Sequence, residues 1–175
     1  LPVTLEIGYG MGGSLAEMAL ADPQRNFVGI EVHAPGIGNL LKLVEQDNIK
    51  NLRLLDDDAV EILKNRVPDH SLERVHLYFP DPWHKKKHNK RRIVKADFVE
   101  LLAKKLVKGG TFHMATDWEH YAEQMAEVME SADNFTSTSD TPFIDRPDYR
   151  PITKFEKRGL RLGHGVWDLI YTLKG

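Results

Sequence analysis

The segment Glu6-Ile7-Gly8-Tyr9-Gly10-Met11-Gly12-Gly13 joins an apolar run to an amphipathic one through a cluster of glycines. Glycines at 8, 10 and 13 fit G-x-G-x-x-G, where glycine permits a tight turn and lets a ligand approach the backbone closely. Glu31 ends the next apolar run, where a carboxylate can accept hydrogen bonds from both ribose hydroxyls of an adenosine. These two features fit NAD and S-adenosylmethionine alike, and a glycine turn with no ligand also produces the first of them. Glu6 favours the methyl donor. A carboxylate ahead of the glycines can meet the ammonium of a methionine moiety, directly or through water, and repels a pyrophosphate. Asp58 stands where a carboxylate can bond the adenine amino group. Asp ahead of a helix is also a common N-cap, and both roles stay open.

A second constellation is Phe79-Pro80-Asp81-Pro82-Trp83. Prolines fix the backbone on both sides of Asp81, and each also restrains the residue before it. A rigid carboxylate beside an aromatic ring suits recognition of a planar base, although a stiff polar turn has the same composition. The following stretch, Lys85 to Lys95, carries basic residues and no acid. Such runs are often only solvated, but this one adjoins the other features, and Lys and Arg neutralise phosphates. His84 and His88 have a spacing that suits zinc on a helix. They follow two prolines and lack the glutamate of H-E-x-x-H, so no metal is expected.

These residues need elements that bring them to one edge. Short apolar runs at Val3–Ile7, Phe27–Val32, Leu52–Leu55, Arg74–Phe79, Thr111–Thr116 and Val166–Leu173 read as strands. Helical patterns lie between them over 14–21, 35–47, 59–66, 96–105 and 118–131. Pro80 to Arg92 reads as a basic loop, Gly109-Gly110 as a turn, and Thr136 to Arg150 as loop with room for an edge strand. Alternating strands and helices predict an α/β protein with a mostly parallel sheet covered on both faces. Ligands then bind beyond the carboxyl ends of the strands. The glycines, Glu31, Asp58, Asp81 and Asp117 follow five consecutive strands, so all fall on that edge.

The chain has 175 residues, 41% hydrophobic and 29% charged, which fits one globular domain and excludes a disordered chain. No apolar run is long enough for a membrane helix. With no cysteine, disulfides and thiolate chemistry are excluded, and a cytoplasmic location is the natural expectation. The net charge of -2 is neutral toward polyanions, so any attraction to nucleic acid must be local. The chain starts at Leu1 and enters a strand at once, which reads as a polypeptide lacking a native N-terminal segment.

Taken together, EIGYGMG, GIEVH, FPDPWHKKKHNKRR, HMATDW, TKFEKRG and GHGVWDL closely resemble bacterial tRNA (guanine-N7-)-methyltransferases, from Leu5 to about Leu169. The resemblance implies a Rossmann-like methyltransferase fold whose seven-stranded sheet has one antiparallel strand near an edge. It implies S-adenosylmethionine as donor, tRNA as partner and guanosine 46 of the variable loop as target, in a monomer or homodimer. By motif, Glu6, Gly8, Gly10, Gly12, Glu31, Asp58 and Asp81 hold the donor, with Asp81 catalytic. Lys85, Asp117, Thr153, Lys154, Phe155 and Glu156 contact the target nucleotide. Lys87, His88, Asn89, Lys90, Arg91 and Arg92 face RNA. Trp83 or Phe155 stacks on the base or packs in the core. Two alternatives to this function are an NAD-dependent oxidoreductase and a non-catalytic RNA-binding module on the same fold.

Overall fold

Strands and helices alternate as the hydrophobic pattern predicts. The computed structural model describes residues 1–175. It opens with β1 (Val3–Ile7), α1 (Gly13–Ala21), β2 (Asn26–Ile30), α2 (Ala34–Gln46), β3 (Leu52–Leu55) and α3 (Ala59–Arg66). The chain continues with β4 (Leu72–Tyr78), a 3-10 helix (Lys86–Arg91), α4 (Ala96–Lys105), β5 (Leu106–Thr116) and α5 (Glu119–Glu130). It ends with β6 (Phe135–Ser137), α6 (Lys154–Arg161) and β7 (Trp167–Leu173). The seven strands form one sheet in the order β3-β2-β1-β4-β5-β7-β6, parallel except that β7 runs antiparallel to both neighbours. The chain winds outward from β1 to β3, then returns to place β4 on the other side of β1. The strand order therefore reverses between β1 and β4, which is where such sheets open a crevice for ligands.

The two faces of the sheet differ in chemistry. Leu5, Leu77, Phe112 and Met114 pack against Ile62, Phe98 and Met125 from α3, α4 and α5 in a core of 24 buried residues. Because side chains alternate along a strand, the residues between them face the other way. On that face Glu6 pairs with His76 and His76 with His113 across β1, β4 and β5. These three are buried, as is Asp168 of β7. An unsatisfied buried polar group costs about 1–3 kcal/mol, which favours a bonded network on this face, although both His76 ring nitrogens stay outside it. His113 supplies its centre: Nε2 lies 2.6 Å from Asp168, and Nδ1 faces the hydroxyls of Tyr78 at 2.8 Å and Tyr149 at 2.7 Å. Burial holds the His113 pKa below its usual value despite the nearby carboxylate. A neutral ring donating through Nε2 satisfies the geometry.

Three details differ from the sequence expectation. β2 stops at Ile30, because the Glu31 carboxylate accepts from the backbone N–H groups of Val32 and His33 and turns the chain. Gly109-Gly110 does not end an element but lies inside the eleven-residue β5. Pairing with β4 advances from Leu72 to Arg74 while β5 advances from Leu106 to Thr111, and the surplus residues bulge. The basic segment is partly ordered, as the 3-10 helix.

Candidate active site

At the carboxyl end of β1 the glycine turn is locked from several sides. The Gly8 N–H donates to the Ile30 carbonyl at 2.8 Å, and the Gly10 N–H donates to Glu31 Oε1 at 2.8 Å. Glu31 therefore receives three backbone N–H groups and knits the turn to the end of β2. Gly36, in the first turn of α2, lies so close that a Cβ there would sit 2.0 Å from the Gly10 carbonyl oxygen. In sequence a glycine here only weakens the start of a helix; its reason is this backbone contact. Gly12 has a φ of 84° and rests against Leu40, outside the cleft, so its requirement is one of conformation and packing.

Between the ends of β1 and β4 lies a cleft of about 200 Å³, lined by Glu6, Gly8, Gly10, Tyr78, Arg150 and Thr153 among others. Glu6 is 3% exposed, and its Oε1 has no hydrogen-bond partner in the protein. Burial first, then the charge of Glu31, raises its pKa to about 8. That oxygen is left open to a group entering the cleft. Asp58 behaves as a helix cap: Oδ1 accepts from the Glu61 N–H at 3.0 Å, and Oδ2 is not used in that bond.

Beyond β4 the chain passes through Phe79 with φ 51° and Trp83 with φ 44°, both in the left-handed region that non-glycine residues seldom adopt. Such strain persists where the surroundings over-determine it, and it clusters at functional sites. Between the two, Asp81 is exposed, and its Oδ1 accepts from the Trp83 N–H at 2.9 Å. Phe79 lines the cleft, which puts Asp81 two residues from its wall. His84 packs edge-on against Trp118 at 4.3 Å, joining this loop to the start of α5.

The basic run is not uniformly exposed. Lys87, Lys90 and Arg91 are exposed, while His88 and Asn89 are half-buried. Arg91 lies over the Trp83 ring at 5.1 Å. Arg92 corrects the expectation that it faces RNA, because it is 1% exposed. Its Nε donates to the Pro82 carbonyl at 2.7 Å, its Nη2 lies 3.0 Å from His120 Nδ1, and its guanidinium covers the Tyr121 ring at 4.7 Å. It pins the Asp81 loop to α5. Consecutive basic residues give no sequence cue to which one turns inward.

A groove of about 650 Å³ opens nearby, lined by Asp117, Trp118, Phe155, Glu156, Leu162 and Trp167 among others. It thus brings together three of the expected nucleotide contacts, Asp117, Phe155 and Glu156. Lys85 and Lys154 are exposed and do not line it. Thr153 borders the cleft instead, and caps α6 by accepting from the Glu156 N–H at 3.0 Å. α6 itself was not expected. Its cue is Thr153-x-x-Glu156, a capping-box sequence. Here the glutamate side chain does not complete the box. Both its oxygens receive Arg150, Oε1 at 2.7 Å and Oε2 at 2.9 Å. Arg150 carries no sequence cue either, since an arginine in a Ser-, Asp- and Pro-rich stretch reads as surface.

Known proteins resemble this chain in sequence and in fold. A family model described as "Putative methyltransferase" matches residues 1–169. The tRNA (guanine-N(7)-)-methyltransferase of Yersinia enterocolitica is 59% identical over 174 residues, covering 99% of this chain and 73% of that protein. The protein of the same name from Shewanella amazonensis is 61% identical over 168 residues, covering 95% and 71%. Among solved structures, a 30S ribosomal A1408 methyltransferase from an uncultured bacterium superposes with a TM-score of 0.68 at 16% identity, covering 98% of this chain and 87% of that one. An rRNA methylase from Streptococcus thermophilus gives 0.64 at 12% identity, covering 99% and 87%. At such identities the structural likeness speaks for the fold alone.

Proposed function

We infer the division of labour in this site from one premise: the chain belongs to the tRNA (guanine-N(7)-)-methyltransferases, so its reaction is methylation of guanine N7 in tRNA. The oxidoreductase and non-catalytic alternatives give way to that membership. The donor is S-adenosylmethionine, leaving as S-adenosylhomocysteine, and the target is guanosine 46 of the variable loop. The observation that carries the reading is the unpartnered Glu6 oxygen in the cleft at the β1/β4 switch point. It fits the ammonium of a methionine moiety, while Glu31 and Asp58 retain acceptor capacity for ribose and adenine.

When bound, the donor supplies an electrophilic methyl group on a sulfonium. Guanine N7 has a lone pair and no proton, so the protein need not provide a strong general base. Its own tasks are placement and electrostatic support. Asp81 favours the positive charge that builds on the purine. Asp117 accepts from the base edge, where guanine offers N1–H and its amino group. Phe155, 65% exposed in the groove wall, is the stacking face for a base drawn out of its stack. Trp83 is less available, because Arg91 covers it. Lys87, Lys90 and Arg91 take phosphates, and the exposed Lys85 and Lys154 reach for the target nucleotide.

The direct test incubates tRNA with labelled donor and then cleaves the RNA chemically at N7-methylguanosine. One cut at position 46 is expected; label without that cut, or no label, overturns the reading.

Glu6 adds a pH signature. Its pKa of about 8 means that it must lose a proton to receive an ammonium. Product affinity, followed with S-adenosylhomocysteine, should therefore rise with pH through neutrality and fall again once the ligand's own ammonium deprotonates. Glu6→Gln should bind weakly and lack the rising limb. Stability moves the opposite way. Between the ordinary glutamate value of 4.5 and about 8 the folded protein keeps a proton that the unfolded chain has released, so stability falls as pH rises across that window. The loss is on the order of a few kcal/mol. Glu6→Gln should escape it and melt higher than the parent at pH 8.5. A parent whose affinity is flat from pH 6 to 8 would rule this out.

A further inference from the structure

α6 carries Phe155 into the groove, yet among its eight residues the only buried one is Glu156. Its apolar side chains, Phe155 and Leu160, are 65% and 54% exposed, so hydrophobic packing does not seat this helix. A carboxylate does. Both Glu156 oxygens receive Arg150, and the same guanidinium reaches Asp168 through Nε at 2.8 Å and Nη2 at 2.7 Å. Arg150 is 1% exposed and belongs to the cleft wall, with its guanidinium 5.6 Å from the Phe79 ring and 5.7 Å from the Tyr78 ring. Asp168 continues the chain of contacts to His113 and so to the Tyr78 hydroxyl. Burial alone would make the guanidinium easier to deprotonate. The two carboxylates outweigh that and hold its pKa above the usual value, so the fork stays charged.

We propose that Arg150 is a positioning residue for methyl transfer: its paired forks on Glu156 and Asp168 fix α6 against the sheet and so set the substrate groove in register with the donor cleft. This rests on the division of labour above, with the donor between β1 and β4 and the base against α6. It also assigns Glu156 a role through Arg150 rather than through the base. A bidentate guanidinium is required, because an ammonium at the same place cannot hold two carboxylates in fixed planes.

The test compares the parent protein with Arg150→Lys, Glu156→Gln and the double variant. Transfer is measured on tRNA, and donor stoichiometry by calorimetry at the same temperature. A misplaced base is expected to lower kcat about 100-fold in Arg150→Lys, because shifts near 1 Å cost that much. KM for tRNA should stay near the parent value, because the exposed lysines and Arg91 are untouched. One donor per chain should still bind. The double variant should be no slower than the slower single variant, because both changes break the same fork. Stoichiometry that falls in step with kcat in both single variants would show a merely structural role and overturn the proposal. So would losses that multiply in the double variant, or parent-like kcat in Arg150→Lys. Failure of the underlying reading is seen separately, as a parent protein that leaves N7 unmethylated.

Discussion

Asp81→Ala and Asp81→Asn are both expected to melt with the parent protein and to transfer methyl groups about 10²- to 10³-fold more slowly, the usual effect of removing one preorganised electrostatic group. Stability should be spared because Asp81 is exposed and makes one local hydrogen bond, from its Oδ1 to the Trp83 N–H. The pair of variants separates two explanations. Asparagine keeps the oxygen that accepts from Trp83, so the turn survives while the charge is removed. Alanine removes both. If the carboxylate acts by stabilising positive charge on the purine, the two variants are comparably slow. If asparagine restores most of the rate, Asp81 serves only to shape the loop, and the catalytic assignment fails. Single-turnover rates with saturating donor are the right measurement, because product release then drops out.

The backbone gives independent reason to look there. Phe79 and Trp83 both hold positive φ, and conformations of this kind cost of order 1–3 kcal/mol each. The sequence indicates a rigid turn through its two prolines, but positive φ in aromatic residues leaves no trace in residue type. The same contrast runs through the molecule. The mostly parallel sheet and the ligand edge were legible because strand-helix alternation implies parallel pairing and places strand ends together. Glu31, Asp81 and Asp117 stood out as residues ending or following strands, and Glu6 as the acid ahead of the glycines. The polar sheet face was not read, although Glu6, His76, His113 and Asp168 sit at alternate positions of neighbouring strands. Each strand looks apolar by itself, and only pairing shows that the exceptions line up. Arg150, Arg92 and Gly36 were missed for one shared reason. Their purpose lies in a contact across more than twenty-five residues or across two elements, and single-sequence patterns carry local information.

Arg92 and its neighbours supply the sharpest contrast within one short segment. Arg92→Ala should lower the melting temperature by roughly 5–15 °C. Charge-assisted hydrogen bonds and a partly desolvated cation–π contact together contribute about 2–4 kcal/mol, and a chain of this size shifts about 2–4 °C per kcal/mol. Below that temperature donor binding should persist while transfer falls, since Pro82 loses its anchor and Asp81 its brace. Lys90→Ala and Arg91→Ala should do the reverse. Neither side chain is buried, so melting should change little. Affinity for tRNA should weaken, and its dependence on salt should flatten by about 0.7–0.9 in log–log slope for each phosphate that is no longer neutralised. Binding isotherms at four salt concentrations, beside thermal melts of the same three variants, distinguish these patterns. An Arg92→Ala protein that melts like the parent but shows the flattened slope would mean that Arg92 turns outward to the RNA. The buried guanidinium over Tyr121 would then not be its working position. If the slope is unchanged in Lys90→Ala and Arg91→Ala, the exposed basic residues are only solvated, and the phosphate-binding groups must be sought elsewhere on the surface.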